Sequence, residues 1–208
     1  MKNSTKSKIV RRAIELFNID GFSNVSLIRI AESLSLSPGN LTYHFQKKED
    51  LMHAVYKFFQ NELLMVLPEM PKDTSLDNFK NQVKVFYQFQ LRFSFFYSDL
   101  LEVVRAFPQI GKLHQTHIET QIDRIHYVMM SNVSSGMLSN DLTPSEYRLL
   151  AHHIWMTSAF WMSQTKIRQC DDIADDLQKS VWSLIKPHLT KKYIDSTELS
   201  HHPEHINN

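Results

Sequence analysis

The chain has 208 residues, 42% of them hydrophobic, and 23 Lys and Arg against 22 Asp and Glu, so it can bury a substantial core and is not a polyelectrolyte over its whole length. No run of about 18 uncharged apolar residues occurs, and the basic start MKNSTKSK leads into no apolar segment, so neither a membrane span nor a secretory leader is expected and the expected location is the cytoplasm. One cysteine, Cys170, excludes an internal disulfide and reads as a passive thiol at a helix junction.

Only four glycines interrupt long periodic apolar runs, which points to an all-α fold. From Lys8 to Asp20, Ile9, Val10, Ala13, Ile14, Leu16 and Phe17 form one broad stripe that stops at Gly21, a natural C-terminal cap. Ser26 can cap a second, short helix with Leu27, Ile30, Ala31 and Leu34 at helical spacing. Ser35 and Leu36 alone separate it from Ser37, which can cap a third helix with Pro38 at its first position. Two short helices joined so tightly, with Leu36 and Leu41 available to pin the corner, make a helix-turn-helix supported by the first helix.

The front of the third helix is unusual. Gly39 has no side chain, and Asn40 and Thr42 are small and polar, so this turn presents little bulk and several hydrogen-bonding groups, as close approach to a DNA groove requires. Taken alone, SPGNLTYHF is equally a capped connector, and its flanks decide. Through residue 60 there are nine Lys or Arg against five Asp or Glu, and beyond it fourteen against seventeen, so the positive excess sits at the helix-turn-helix end. A fourth helix runs from about Lys48 to Leu67 before Pro68, with Glu49 and Asp50 favouring its positive end. There the Lys48 ammonium, with the helix amides, is expected to meet a phosphate.

The segments IVRRAIELFNIDGF and SLIRIAESLSLSPGNLTYHFQKKEDLMHAV resemble the DNA-binding region of the TetR family of bacterial transcriptional regulators. The resemblance covers roughly the first quarter of the chain and joins the Gly-Phe end of the first helix, I-A-E-S-L, L-x-Y-H-F and K-K-E-D-L in order. Thr42 stands where the family often has tyrosine, and Ser35 where the turn often has glycine, which suggests a slightly different turn in the same fold. Tyr43 and His44 match family positions that contact the DNA backbone. The DNA-binding set is thus Ser26, Ser37, Pro38, Gly39, Asn40, Thr42, Tyr43, His44, Lys47 and Lys48. The resemblance implies a DNA-binding domain and a helical effector-binding and dimerisation domain; the helix and linker pattern bounds them at 1–47 and 48–190, and the polar end over 191–208 is expected to be a flexible tail. The partners implied are a double-stranded operator, a small-molecule effector and a second copy of the chain.

After a linker containing Pro68, Pro71, Lys72 and Asp73, an aromatic helix starts at Thr74 and carries Phe79 through Phe96. Further helices are expected over Leu100 to Phe107, Pro108 to about Met130, Thr143 to Ile167 and Asp172 to His188. Thr143-Pro144-Ser145-Glu146 is a capping box with proline at the first position. Phe86, Phe89, Phe93, Tyr97, Met129, Trp155 and Met156 are candidates to line an effector cavity, against plain core packing. Few charges interrupt these stripes, which favours an apolar or aromatic effector. Ala159 and Met162 on one late helix, and Leu177, Val181 and Leu184 on the next, would be exposed unless packed. Packing within one chain would cover them, but the TetR resemblance implies a four-helix dimer interface through the final helices, for which they are the candidates.

An enzyme reading has to use the histidines. His114 and His117 could share a helix face, with Glu119 or Asp123 near enough for a metal-dependent hydrolase; His126, His152 and His153 add to the count. No H-E-x-x-H pattern, nucleophile motif or phosphate-cradling glycine loop accompanies them. The expectation is therefore a non-enzymatic regulator with no cofactor and no metal site.

Overall fold

The computed structural model describes residues 4–169 and 174–195. Their regular elements are helical apart from one isolated antiparallel bridge between Leu138 and Leu189. Cys170, the expected helix start at Asp172 and the tail beyond residue 195 lie outside the described residues. None of the described helices is long and apolar enough to cross a membrane.

Helix α1 (Thr5–Asp20) begins a turn earlier than its apolar stripe, because Ser4 Oγ accepts from the Ser7 amide at 3.3 Å. It ends where Gly21, at φ 80°, returns its N–H to the Phe17 carbonyl. Helix α2 (Leu27–Ser33) is capped by Ser26 and α3 (Pro38–His44) by Ser37. Between them the Leu36 amide donates to Ala31 O at 2.9 Å and the Ser35 amide to Glu32 O at 3.0 Å, the paired bonds of a Schellman ending. Ser35 holds φ 54° to make them. The turn is therefore the glycine-type turn and not the altered one its serine suggested. A left-handed serine pays a steric cost of about 1–2 kcal/mol that glycine escapes. Ser35→Gly should accordingly raise the unfolding free energy by about 0.5–1 kcal/mol, once the extra chain entropy of glycine is deducted; a urea titration checks it.

Helix α4 (Lys48–Val66) is followed by α5 (Leu76–Arg92), α6 (Ser94–Ser98), α7 (Leu100–Ala106) and α8 (Pro108–Ser134). Then come α9 (Pro144–Ala159), α10 (Trp161–Arg168), α11 (Ala174–Ile185) and a short 3-10 turn, Lys186–His188. Two helices expected as continuous are broken. The backbone turns at Phe93, with φ −123° and ψ 37°, and at Phe160, with φ −93° and ψ 2°. The Phe93 break is held by Asn18 of α1, whose amide donates to Arg92 O and whose Oδ1 accepts from the Phe95 amide, both at 3.0 Å. A break fixed by a residue 77 positions away leaves no local trace.

The chain divides into two compact units, Met1–Pro68 with Gln88–His117, and Glu69–Tyr87 with Ile118–Asn208. In the first, α1 packs on α2, α4 and α6, and α2 on α3. Ile9, Phe17, Ile30, Ala31, Leu41 and Phe45 are its buried base. Above α1, Phe17 lies 5.2 Å from Phe95 and 5.6 Å from Phe22, ring centre to ring centre. In the second unit α11 packs on α9, burying Leu177, Val181 and Ile185 from one, and Tyr147, Ala151 and Ile154 from the other. The Thr143–Glu146 capping box forms, with the Glu146 amide donating to Thr143 Oγ1 and the Thr143 amide to Glu146 Oε2. The first five residues of the expected flexible tail, 191–195, form a helical turn. Its Tyr193 is buried, with its hydroxyl 3.1 Å from Lys80 Nζ.

Candidate nucleic-acid interface

The exposed face of the first unit is built around α3. Ser37, Pro38, Gly39, Asn40, Thr42 and Tyr43 are all exposed, whereas Leu41 and Phe45 point into the core. The 3.6-residue period thus leaves a polar row facing outward. Ser37 Oγ accepts from the Asn40 amide at 3.2 Å. Thr42 Oγ1 shares its one hydrogen between Pro38 O and Gly39 O, at 3.0 and 3.1 Å. Tyr43 is 85% exposed, its ring set edge-on to His44 at 5.3 Å. So exposed a tyrosine contributes almost nothing to the chain's own core and is available to a partner. Lys6, Lys8, Arg11 and Lys47 are exposed cations of the same unit, and the Lys6 ammonium lies 5.3 Å from the Phe45 ring centre.

Lys48 behaves differently from the expectation. Its ammonium donates to Phe22 O at 2.7 Å and sits 4.1 Å from the centre of the Phe22 ring. Burial lowers its pKa, with Glu102 opposing that shift. The ammonium closes the end of α1 onto α4 instead of pointing at a phosphate, because the Phe22 carbonyl and ring offer it a charge-assisted bond and a cation–π contact together. Around the same loop Asp99 accepts from the Phe22 amide at 3.0 Å and Glu102 accepts from Ser23. Asp99, Glu102 and Asn18 were missed from the sequence because their partners lie 74 to 79 positions away. At the start of α4, Asp50 accepts from the Lys47 amide at 3.0 Å, and the Lys47 side chain is exposed.

The seven effector candidates separate between the units. Phe89, Phe93 and Tyr97 cluster on Phe59 of α4 at 5.1, 5.3 and 6.1 Å. Phe89 and Phe93 are each only 1% exposed and belong to the core of the first unit. Phe86, Met129, Trp155 and Met156 belong to the second unit, where Met129 is buried, Phe86 and Trp155 are half-buried and Met156 is exposed. None of the seven lines either described cleft. One, of about 420 Å³, is formed in the first unit by His53, Tyr56, Lys57, Gln60, Asn61, Leu64 and Leu113. The other, of about 320 Å³, lies in the second unit by Thr74, Asp77, Ser131, Asn132 and Tyr193.

The histidine pair is built into an aromatic core. His114 is buried with Nδ1 hydrogen-bonded to the Tyr56 hydroxyl at 3.2 Å, and the His114 and His117 rings stack at 5.5 Å. In the second unit Glu119 and Asp123 are both engaged by Arg148. Among the described residues no three His, Cys, Asp or Glu side chains group as a metal site requires.

Three of the five dimer candidates are taken up by packing within the chain itself. Met162, Leu177 and Val181 are buried in the chain's own second unit, α11 having packed on α9; Ala159 and Leu184 are half-buried. Leu149 and Met156 of α9, Phe160 at the break and Ile167 of α10 are exposed apolar side chains, the last 81% exposed.

The family model described as bacterial regulatory proteins, tetR family, matches residues 9–55, and a TetR model described as bacterial transcriptional repressor matches residues 58–196. The chain belongs to the TetR family. Among its relatives, a probable HTH-type transcriptional regulator, YttP of Bacillus subtilis (strain 168), is 43% identical over 61 residues, 29% of this chain and 30% of that one. The HTH-type transcriptional regulator SAB2452 of Staphylococcus aureus (strain bovine RF122 / ET3-1) is 23% identical over 155 residues, 71% of this chain and 83% of that one. A TetR-family regulator from Marinobacter aquaeolei VT8 shares the fold with a TM-score of 0.83 at 22% identity, covering 95% of this chain and 97% of that one.

The chain thus has the two-part make-up of a TetR-family transcriptional regulator, with the family's helix-turn-helix DNA-binding region over residues 9–55. Gly39 tests the exposed face of that region cleanly, since a Cβ there meets nothing within 4 Å and no positive φ demands glycine. Gly39→Ala should leave thermal stability unchanged or raise it by up to about 1 kcal/mol through helix propensity. Operator affinity should fall if a groove approaches the backbone there. Paired thermal melts and DNA titrations read the two effects separately.

Proposed function

We propose that this TetR regulator is a dimeric, ligand-responsive repressor that binds a palindromic double-stranded operator in the cytoplasm and has no enzymatic activity. The observation that carries the reading is the exposed polar row of α3 over a buried apolar base, with the Lys47 side chain exposed at the start of α4. Residues 1–47 act as the reader and 48–190 as the effector-binding and dimerisation region. One α3 enters each of two successive major grooves, which requires a two-fold pair of protomers with reading helices about 34 Å apart. Leu149, Met156, Phe160 and Ile167 supply an apolar face for the pair. Ser37, Pro38, Gly39, Asn40 and Thr42 stand at the base edges, with Ser26, Tyr43, His44 and Lys47 on the backbone. An apolar or aromatic effector releases DNA by binding better to a state whose reading helices are wrongly spaced.

The division between anchoring and structural lysines tests this reading. Lys47→Ala should weaken specific and non-specific DNA alike and lower the log–log salt slope by about one per subunit. Lys48→Ala should instead cost about 1–2 kcal/mol of stability, by loss of the charge-assisted bond to Phe22, with the salt slope unchanged. DNA titrations from low to high salt, with urea melts of both variants, give the answer. A slope unaffected by Lys47→Ala and reduced by Lys48→Ala would reverse the assignment, and slopes unaffected by both would remove α4 from the DNA interface.

A further inference from the structure

We infer that Thr42 reads a thymine in each operator half-site through its methyl group, an inference that rests on the DNA-binding reading above. A threonine hydroxyl has one hydrogen to donate. In Thr42 it is directed inward, to Pro38 O at 3.0 Å and Gly39 O at 3.1 Å, while the residue as a whole is exposed on the outer row of α3. What this exposed side chain then has left to offer a base is the γ-methyl and oxygen lone pairs that can accept only from adenine N6 or cytosine N4. Donation to a guanine N7 or O6 or to a thymine O4 would cost both internal bonds. In the major groove the apolar group available to a methyl is the thymine 5-methyl, which cytosine, adenine and guanine lack. The neighbours on the row reinforce the choice: Gly39 has no side chain and its Cβ direction is open, so α3 can approach the base edges closely enough for a short side chain to touch a methyl.

The test replaces each thymine of a selected operator, one symmetric pair at a time, by deoxyuridine, which removes the 5-methyl and preserves every Watson–Crick and major-groove hydrogen-bonding group. Burying one methyl corresponds to about fourfold in affinity per half-site, or about fifteenfold for a symmetric pair. Wild-type protein should show this loss at one thymine per half-site. Thr42→Val, which keeps the methyl and discards the hydroxyl, should retain the discrimination. Thr42→Ser, which keeps the hydroxyl and discards the methyl, should bind thymine and uracil operators equally, with far-UV melts establishing that both variants fold. Deoxyuridine tolerated at every thymine, discrimination that persists in Thr42→Ser, or discrimination lost in Thr42→Val would overturn the inference while leaving operator binding intact. Failure of the wild-type protein to enrich any DNA sequence is a separate result, and it would overturn the DNA-binding reading together with this one.

Discussion

Lowering the pH from 7 to 5 is expected to remove about 4 kcal/mol of folding stability, two protons' worth of linkage acting together. The cause is the pair His114 and His117 on α8. His114 is buried against the Phe96 ring at 5.1 Å and bonded to Tyr56, and the His117 ring lies 6.1 Å from Phe59. Burial pulls His114 down to about 3, with His117 adding to the shift, and burial likewise pulls His117 down to about 4. Both folded values lie below the ordinary histidine value of 6.5, so between the two the unfolded chain binds protons that the folded protein does not. Stability is therefore full above about pH 6.5 and falls as pH drops, by up to about 1.4 kcal/mol per pH unit for each histidine. The fall levels off once the folded histidines themselves protonate near pH 4 and then pH 3. Urea midpoints at pH 7, 6 and 5 measure the slope before most carboxylates titrate. A His114→Gln, His117→Gln double variant should start less stable and lose most of that slope. An undiminished slope in the variant would place the pH dependence elsewhere.

Phe59→Ala should cost about 3–5 kcal/mol, the loss for a large aromatic removed from a packed core. Phe59 is the hub of the first unit's upper core, with the rings of Phe96, Phe89, Phe93, Tyr56, Tyr97 and His117 at 4.8 to 6.1 Å. Its removal leaves six neighbours around one void. Phe59→Leu refills part of that space and should recover more than half of the loss. Tyr43→Ala is the matched control, since removal of so exposed a ring should change stability by less than about 0.5 kcal/mol while weakening DNA binding. Chemical denaturation of the three variants distinguishes a packed core from a loose one. A cost below about 1 kcal/mol for Phe59→Ala would mean that the rings do not pack tightly, and would return Phe89 and Phe93 to the role of cavity lining.

Local chemistry was legible in the sequence wherever cause and effect lie within one turn of helix. Ser26, Ser37 and Thr143 cap the helices they were expected to cap, and Leu41 is buried at the corner of the helix-turn-helix. Ser4 was overlooked because it precedes the apolar stripe that marked α1. Long-range partners were not legible. Lys48 carries the charge and position of a phosphate anchor, and only the fold brings the Phe22 carbonyl within 2.7 Å of it. The apolar rows of the last helices illustrate the same limit. Periodicity identifies the apolar face of α11 without saying whether it meets α9 of its own chain or a second protomer, and Leu177 and Val181 turned out to meet their own. Likewise, aromatic density between Phe79 and Phe96 marks burial, and burial alone does not separate a core from a cavity wall.

Selection from random duplex DNA, run in parallel with wild-type protein and Asn40→Ala, tests the central claim most directly. The account predicts that wild-type protein enriches a two-fold symmetric sequence with half-sites about one helical turn apart, and that Asn40→Ala enriches a sequence altered at the same position of both half-sites. Enrichment of an asymmetric sequence, of no sequence, or of one and the same sequence by both proteins would contradict it.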